Sequence, residues 1–406
     1  MKDITSKIYY IIQHEGLLSI VKRPYCIIIK LVNQLLIGIF CFFPVIANKI
    51  ILESQVDYSD NVRAFYEYAS KNKDNPFHFI WLVQNPSYYK NRYEGTFVSR
   101  NELFINIRAD YHIATAGYLI FSHPYWLKKW RKNQTVINTT HSVAQLKATS
   151  NGKSKKTYDY VLTCSDYCTE VRKQTFHDYC DSHYLCIGQP RIDLLFSHED
   201  CLKKLFPNMP NKKIILCMET FKQTTSWNDG GANDIFSLNV ISSISELKKL
   251  DQYLFDNDYI LINKIHHLQD LSVINSVNLS RIVYITDSDL RAVDIQVNQL
   301  LENAVLLLTD YSSVFYEFLL LDRPIGFLIG DIDEYKRGFI IENPLDEMPG
   351  KAIKDVEELI EFIDNYIKGQ DEYSSFRKTI RDKVFKYPDN NNSERLNTWL
   401  LNNYAK

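Results

Sequence analysis

The segment Val305-Leu-Leu-Leu-Thr-Asp-Tyr-Ser-Ser-Val314 is the clearest indication of fold class in this sequence. Its continuous apolar run is typical of a parallel strand that is buried on both faces. We expect the strand to end at Thr309-Asp310, after which Ser312 and Ser313 open a helix. In open α/β sheets ligands bind beyond the carboxyl ends of the strands, where a helix N-terminus offers its N–H groups to phosphate. These four residues are therefore predicted to bind phosphate, although a helix cap made by the serines fits the pattern equally well.

Along most of the chain, short strand-like segments alternate with helix-like ones, and this alternation indicates parallel sheets. The strand candidates of the N-terminal half are Lys49–Ser54, His78–Val83, Gly117–Phe121, Thr135–Thr139, Tyr158–Thr163 and Tyr184–Ile187. Those of the C-terminal half are Lys213–Met218, Tyr259–Lys264, Ile282–Ile285 and Val305–Thr309. We expect an α/β protein with two Rossmann-like domains that face a central cleft.

The domain boundaries follow from composition. A polar stretch over 197–211 contains two prolines and is typical of a passage between domains. The predicted parts are an N-terminal helical segment over 1–48, a first Rossmann-like domain over 49–197 and a second over 198–385. The final part, 386–406, is predicted to be a helix that packs back on the N-terminal half.

Composition excludes several classes of protein. Among 406 residues, 45% are hydrophobic and 24% are charged, which excludes wholesale disorder. The 47 basic and 49 acidic residues leave a net charge of −2, so no nucleic acid partner is expected. No P-loop pattern is present, and no carboxylate cluster has metal-ligand spacing. We expect no protein-held metal and no cofactor, with stimulation by a divalent cation left open, and the eight cysteines are expected to be reduced.

The N-terminal segment contains an apolar run of 13 residues, Leu35–Ala47, that is too short for a bilayer-spanning helix of about 20 residues. A buried helix that leads into the first strand explains the run. An interfacial helix explains it slightly better, because Lys22, Arg23 and Lys30 could meet anionic headgroups while the apolar side chains enter the acyl boundary. We therefore expect peripheral attachment to an anionic membrane surface.

Two strands are expected to end in histidine. Leu261-Ile-Asn-Lys-Ile-His-His267 places Lys264 and His266 at the sheet end that also carries the serine turn, which favours phosphate contact. Thr135-Val-Ile-Asn-Thr-Thr-His141 places His141 at a strand end in the N-terminal half. One histidine could take a proton while the other neutralises charge. Two unrelated surface histidines remain the alternative.

These motifs, taken in order from about Lys49 to Lys354, resemble the CDP-glycerol glycerophosphotransferase family of teichoic acid primases and polymerases. The motifs that carry the resemblance are Tyr58-Ser-Asp-Asn61, the His141 segment, Gly188-Gln-Pro-Arg-Ile-Asp193, Thr220-Phe-Lys222, His266, Thr309-Asp-Tyr-Ser-Ser313, Asp322-Arg-Pro324 and Arg337-Gly338. Thr140 and Ser142 depart from the family's Trp-His-Gly pattern. Lys264 replaces an arginine before His266.

The resemblance implies a GT-B fold, with the donor nucleotide in the C-terminal half and the acceptor in the N-terminal half. It implies transfer of a polyol phosphate, most simply glycerol phosphate, from a CDP-polyol to a hydroxyl of a lipid-linked or polymeric glycan, with release of CMP. His141 would be the general base, and His266 would stabilise charge on the pyrophosphate. Further donor contacts would come from Lys222, Arg191 and Glu317. The expected location is the cytoplasmic face of the cell membrane.

Two other functions remain open from the sequence. The same fold would support a glycosyltransferase that uses a nucleotide sugar. The altered segment around His141 would also suit a catalytically inactive glycan-binding homologue.

Overall fold

The computed structural model describes residues 18–123, 127–148, 158–174, 180–209, 211–220, 223–224, 227–228, 236–265 and 274–404. By their contacts the residues form two units. The first comprises 1–140, 157–161 and 397–406, and the second comprises 141–156 and 162–396. The boundary predicted near residue 197 falls within the second unit, and the end of the C-terminal helix belongs to the first.

The first sheet has seven strands in the order β3-β2-β1-β4-β5-β6-β7. The strands are β1 (Ile46–Glu53), β2 (His78–Val83), β3 (Thr96–Ser99), β4 (Ala116–Phe121), β5 (Thr135–Asn138), β6 (Tyr160–Thr163) and β7 (Tyr184–Cys186). The pairings from β3 through β6 are parallel. The central strand β4 is buried along its whole length, as a parallel strand covered on both faces requires.

The second sheet has six strands, all paired in parallel, in the order β12-β11-β8-β13-β14-β15. Its strands are β8 (Lys213–Met218), β11 (Tyr259–Lys264), β12 (Ile282–Ile285), β13 (Ala304–Thr309), β14 (Ile325–Leu328) and β15 (Lys351–Ile353). A separate two-stranded hairpin consists of β9 (Gln223–Thr224) and β10 (Trp227–Asn228). The expectation of two parallel α/β sheets is therefore confirmed.

Helices follow most strands. The α-helices are α1 (Leu18–Phe40), α2 (Asp60–Ala69), α3 (Pro86–Lys90), α4 (Ile107–Thr115), α5 (Asp166–Lys173), α6 (Cys201–Leu205), α7 (Ile244–Asp256), α8 (Asp287–Ala292), α9 (Val297–Asn303), α10 (Val314–Phe318), α11 (Val356–Ile367), α12 (Ser374–Val384) and α13 (Asn392–Tyr404). Short 3₁₀ segments span Asp181–His183, Pro190–Phe196, Ile274–Ser276, Leu319–Leu321, Ile332–Glu334 and Pro344–Glu347.

Helix α7 shows how local sequence sets these elements. The Ser243 hydroxyl accepts a hydrogen bond from the backbone N–H of Glu246, which satisfies one of the unpaired donors at the helix start. Leu247, Leu250 and Leu254 recur at helical spacing and are buried against the second sheet. The helix therefore begins at Ile244, directly after the capping serine.

In the described part of the chain, no helix combines the length and apolar character needed to cross a membrane. The apolar run Leu35–Ala47 is divided between the end of α1 and the start of β1. Several of its side chains face outward, with Leu35 66% exposed and Phe42 92% exposed. These exposures do not fit the alternative of a helix buried within the chain.

Candidate active site

The turn after β13 is organised by Asp310, which is fully buried. Its Oδ1 atom accepts hydrogen bonds from the backbone N–H of Thr220 at 2.9 Å, the Thr220 hydroxyl at 2.9 Å and the backbone N–H of Ser312 at 3.0 Å. The neighbouring Thr309 hydroxyl donates to the Met218 carbonyl at 2.6 Å. Thr309 and Asp310 thus bind the turn after β13 to the end of the adjacent strand β8.

The two serines follow this turn and are half-buried. Ser313 occupies the N-cap position of α10, but its side chain makes no capping hydrogen bond. Helix α10 has only five residues before it tightens into the 3₁₀ turn Leu319–Leu321, so its dipole is short. The capping alternative is therefore not what the structure shows for Ser313, and its hydroxyl is not consumed by the helix.

Tyr311 lies inside the same motif and is fully buried. Its hydroxyl donates to Asp331 Oδ1 at 3.2 Å. Burial, followed by the nearby carboxylates Asp331 and Asp310, raises the pKa of Tyr311 well above its usual range. Tyr311 therefore remains a neutral hydrogen-bond donor, and its contact with Asp331 holds the turn in place.

Lys147 brings a cation to this turn, and the sequence analysis did not select it as a site residue. Its Nζ atom donates to the Thr220 hydroxyl at 3.0 Å, one contact away from Asp310. A backbone bridge between Lys147 and Phe339 and a 2.7 Å hydrogen bond from Arg337 Nε to the Ala148 carbonyl hold this segment. The Arg337-Gly338 motif was the available signal, because Arg337 and the residues after it hold the segment that carries the lysine.

Lys264 ends β11, two strands away from β13 in the sheet. Its side chain is mostly buried and forms a 2.9 Å ion pair with Asp287 at the start of α8. Part of its charge is therefore balanced within the protein. His266 and Lys222, the two other predicted donor contacts near this edge, lie outside the described residues.

His141 is exposed, and the residues before it are held in an unusual conformation. Thr140 has φ = 58°, in the left-handed region that is rare for a β-branched residue. In the first unit, the buried Asn61 side chain donates to the Thr140 carbonyl at 2.9 Å and to the Thr139 carbonyl at 3.3 Å. The Asn138 side chain accepts from the Thr140 N–H at 2.8 Å. Such strain persists where surrounding contacts enforce it, commonly at functional sites.

The residue after His141 is held within the second unit. Arg172 donates to the Ser142 carbonyl, and its Nη2 atom donates to the Ser142 hydroxyl at 2.7 Å. The buried Gln189 side chain donates to the same carbonyl at 2.9 Å. By its contacts His141 belongs to the second unit, as do Lys264 and Ser312, although the sequence analysis places it in the N-terminal half.

The Gly188–Asp193 motif makes contacts within the protein at nearly every position. Gly188 has φ = 86°, and a Cβ atom there would lie 1.7 Å from the Asn392 side chain. Asp193 accepts hydrogen bonds from the backbone N–H groups of Asn392 and Ser393 at the start of α13. The motif therefore anchors the last helix.

Arg191 and Glu317, both predicted to contact the donor, pair with each other. The second carboxylate oxygen of Glu317 accepts from Asn298 Nδ2 at 2.6 Å, and the carboxylate is buried. Glu317 therefore does not face solvent. Direct donor contact by either residue stays a prediction.

Among the described residues, no group of three or more histidine, cysteine, aspartate or glutamate side chains is arranged to hold a metal ion. None of the eight cysteines, all of which lie in the described part of the chain, forms a disulfide bond.

Comparison with known proteins identifies the family. The family model for CDP-glycerol:poly(glycerophosphate) glycerophosphotransferases matches residues 36–402. The chain belongs to this family. The resemblance seen in the motifs is thus confirmed, and the match extends past both ends of the region that the motifs covered.

One relative of this glycerophosphotransferase is a teichoic acid poly(glycerol phosphate) polymerase of Bacillus spizizenii. The two are 28% identical over 378 residues, which cover 85% of this chain and 88% of the relative. A teichoic acid glycerol-phosphate primase of Bacillus subtilis is 30% identical over 254 residues, which cover 62% of this chain and 59% of the primase. The structure of the wall teichoic acid polymerase TagF has a TM-score of 0.71 and 22% identity, over 95% of this chain and 97% of that one. At this identity the structural likeness supports the shared GT-B-like α/β fold.

Proposed function

We propose that this chain transfers glycerol phosphate from CDP-glycerol to a hydroxyl of a lipid-linked or polymeric glycan in teichoic acid or related cell-surface polymer synthesis. Family membership over residues 36–402 supports the reaction class. The observation that carries the proposal is the turn after β13. There a buried Asp310 holds the backbone and leaves Ser312 and Ser313 beside the Lys147–Thr220 contact.

On the donor side, charge stabilisation is the main task in phosphoryl transfer. Lys147 supplies positive charge beside the turn, and the hydroxyls of Ser312 and Ser313 supply hydrogen-bond donors. Lys264 lies on β11 at the same sheet edge, about 10 Å from β13 because one strand separates them. Lys264 would therefore contact the diphosphate from its other side, and we propose His266 and Lys222 as further donor contacts.

On the acceptor side, His141 acts as the general base. The acceptor oxygen forms a bond to the phosphorus that carries glycerol, and the bond from that phosphorus to the bridging oxygen breaks. CMP leaves with the bridging oxygen and its electron pair, while the acceptor proton passes to His141. The fixed backbone at Thr140 and Ser142 supports this role, because a general base must be held in position.

The location we propose is the cytoplasmic face of the cell membrane, with α1 lying in the interface. Supporting this are the exposed apolar side chains along one stripe of the helix, Ile28, Leu31, Leu35 and Ile39, and Phe42 just beyond it. A helix with this pattern buries its apolar face at the boundary between headgroups and acyl chains. We propose no protein-held metal, and stimulation by a divalent cation that accompanies the donor remains to be measured.

Donor identity is tested by thermal-shift measurements with CDP-glycerol, CDP-ribitol and a UDP-sugar, because a ligand that binds the folded state raises the melting temperature. CDP-glycerol is expected to give the largest shift and to yield CMP when a glycan acceptor is added. A shift with the UDP-sugar alone would assign the chain to nucleotide-sugar chemistry. Donor binding without CMP formation would identify an inactive homologue.

A further inference from the structure

A cavity of about 380 Å³ lies beneath helix α1 in the first unit, away from the turns described above. Its wall is mainly apolar and includes Ile37, Ile113 and Leu127. Ile27 also lines it and is 59% exposed, so the cavity adjoins the outward-facing apolar side chains of α1. The cavity is therefore continuous with the surface that we propose to face the membrane.

Hydrogen bonds hold α1 over this cavity. The buried Asn33 side chain donates to the Phe104 carbonyl at 3.2 Å and accepts from the backbone N–H of Asn106 at 2.9 Å. The Tyr25 hydroxyl donates to the Leu103 carbonyl at 2.8 Å. The helix is thus attached to the loop before α4 at several points, and the space between them is a built feature of the unit.

Charged side chains line the same cavity. Among the described residues that line it, Lys30 and Lys128 stand against one carboxylate, that of Glu102, so this part of the lining is net positive. Lys128 Nζ lies 4.3 Å from the centre of the Trp130 ring. The Trp130 indole Nε1 is buried and has no hydrogen-bond partner among the described residues, which is costly for a polar group.

The opposite wall is fixed through Gln134, which is buried. Its side-chain oxygen accepts from the backbone N–H of Trp130 at 3.1 Å, and its amide nitrogen donates to the carbonyls of Ile113 at 2.7 Å and Ala116 at 3.1 Å. The tryptophan and the apolar wall are therefore positioned by the sheet. A cavity with a fixed apolar wall and a cationic lining suits an amphipathic anion.

We propose that this cavity binds one anionic glycerophospholipid of the membrane. Its phosphate would lie between Lys30 and Lys128, and the first part of an acyl chain would lie against Ile37, Ile113 and Leu127. The site lies outside the transfer machinery and depends on the proposed membrane attachment only for the source of its ligand. Occupancy would tie α1 to the membrane by a specific lipid in addition to the general apolar contact.

The test measures binding of dioctanoyl phosphatidylglycerol below its micelle concentration to the full-length protein by calorimetry. Dioctanoyl phosphatidylcholine and sn-glycerol 3-phosphate are the comparison ligands. We expect phosphatidylglycerol to bind more tightly than phosphatidylcholine. The double variant Lys30→Glu/Lys128→Glu should bind it at least about tenfold more weakly, because two attractive charges become repulsive. The matched control is Lys71→Glu/Lys73→Glu, which reverses two exposed charges of the same unit outside the cavity.

A second variant, Ile37→Trp, fills the cavity and should abolish binding if its melting transition is retained. Equal affinity for both lipids, or unchanged binding by the Lys30/Lys128 variant, would overturn the proposal. Glycerol phosphate binding as tightly as phosphatidylglycerol would assign the site to a soluble phosphate instead. Formation of CMP, measured on the same samples with a soluble acceptor, reports on the transferase separately, so failure of either idea is recognisable.

Discussion

Two turns of this chain hold their backbone in opposite ways. At His141, side-chain donors act on carbonyl groups: Asn61 binds the carbonyl of Thr140, and Arg172 binds that of Ser142. After β13, a side-chain acceptor acts on N–H groups, because Asp310 takes those of Thr220 and Ser312. His141 lies between the two held carbonyl groups and is exposed. Ser312 and Ser313 follow Asp310 and are half-buried.

The difference matters for chemistry. A turn whose carbonyls are satisfied presents a side chain that can act as a base, here His141. A turn whose N–H groups are taken by a carboxylate cannot offer those same groups to phosphate, so in the proposed reaction we expect the hydroxyls of Ser312 and Ser313, together with Lys147, to recognise it. The low glycine content of the chain agrees with phosphate binding by side chains, since a glycine-rich loop would use its backbone.

The largest expected effect comes from removing the side chain of the first turn. His141→Ala should lower the rate of CMP release by about 10²–10⁴-fold, the range typical of a lost general base, and leave the melting temperature unchanged. The matched control is His78→Ala, an exposed histidine at the start of β2. Full activity of His141→Ala would show that the histidine is not the general base. The first turn would then have no catalytic role to compare with the second.

A smaller effect is expected when the second turn loses its hydroxyls. Ser312→Ala/Ser313→Ala should reduce kcat/KM for CDP-glycerol by about 10–100-fold, because a hydrogen bond to a charged group contributes about 1.5–3 kcal/mol. Steady-state kinetics at saturating acceptor measure this. If kcat/KM stays at the parent value, the backbone or the lysines alone hold the phosphate.

Asn61→Ala tests whether the first turn depends on its support. Two carbonyls lose a buried donor, so the free energy of unfolding should fall by about 1–3 kcal/mol. CMP release should fall less than in His141→Ala, because the histidine remains but is less well positioned. Urea unfolding and rate measurements on the same protein separate the two effects. Unaltered turnover together with lowered stability would limit Asn61 to a structural role.

Asp110 lies outside both turns and should affect stability without affecting turnover. Burial raises the pKa of Asp110 from 3.8 to about 7, and within the described part of the chain neither carboxylate oxygen has a hydrogen-bond partner. The folded state therefore binds this proton more tightly than the unfolded state. Stability should fall as the pH rises from about 4 to about 7 and then level off.

Asp110→Asn should remove this dependence. Relative to the parent, the variant should gain up to about 3 kcal/mol in unfolding free energy between pH 5 and pH 8, with unchanged CMP release. Urea unfolding at the two pH values measures it. A constant difference between the two proteins would mean that Asp110 does not titrate in this range.

Much of the fold could be predicted from apolar runs with clear ends. His78–Val83, Lys213–Met218, Tyr259–Lys264 and Ile282–Ile285 are strands with the predicted bounds. The strands at Thr96–Ser99, Ile325–Leu328 and Lys351–Ile353 were missed. Thr96–Ser99 and Lys351–Ile353 are short edge strands that begin with a polar residue, and Gly326 interrupts Ile325–Leu328, so none of them gives a continuous apolar run.

The candidate site was less accessible to sequence reasoning. The motif Thr309–Ser313 predicted a turn after β13, but not that Asp310 is occupied in holding it. Arg191 and Glu317 were chosen as separate ligand contacts, whereas folding pairs them across 126 residues. Lys147 was not selected because its contact with Thr220 depends on a tertiary bridge to Phe339. Long-range pairings of this kind leave no local pattern.

The central claim is that the chain moves glycerol phosphate from CDP-glycerol to a glycan hydroxyl. Its most direct test is to incubate the protein with CDP-glycerol and a lipid-linked acceptor analogue, and to measure CMP and the mass of the acceptor together. We expect one CMP for each glycerol phosphate added to the acceptor, and we expect His141→Ala to form neither product. CMP without a heavier acceptor, or an acceptor that gains only a sugar from a nucleotide sugar, would contradict it.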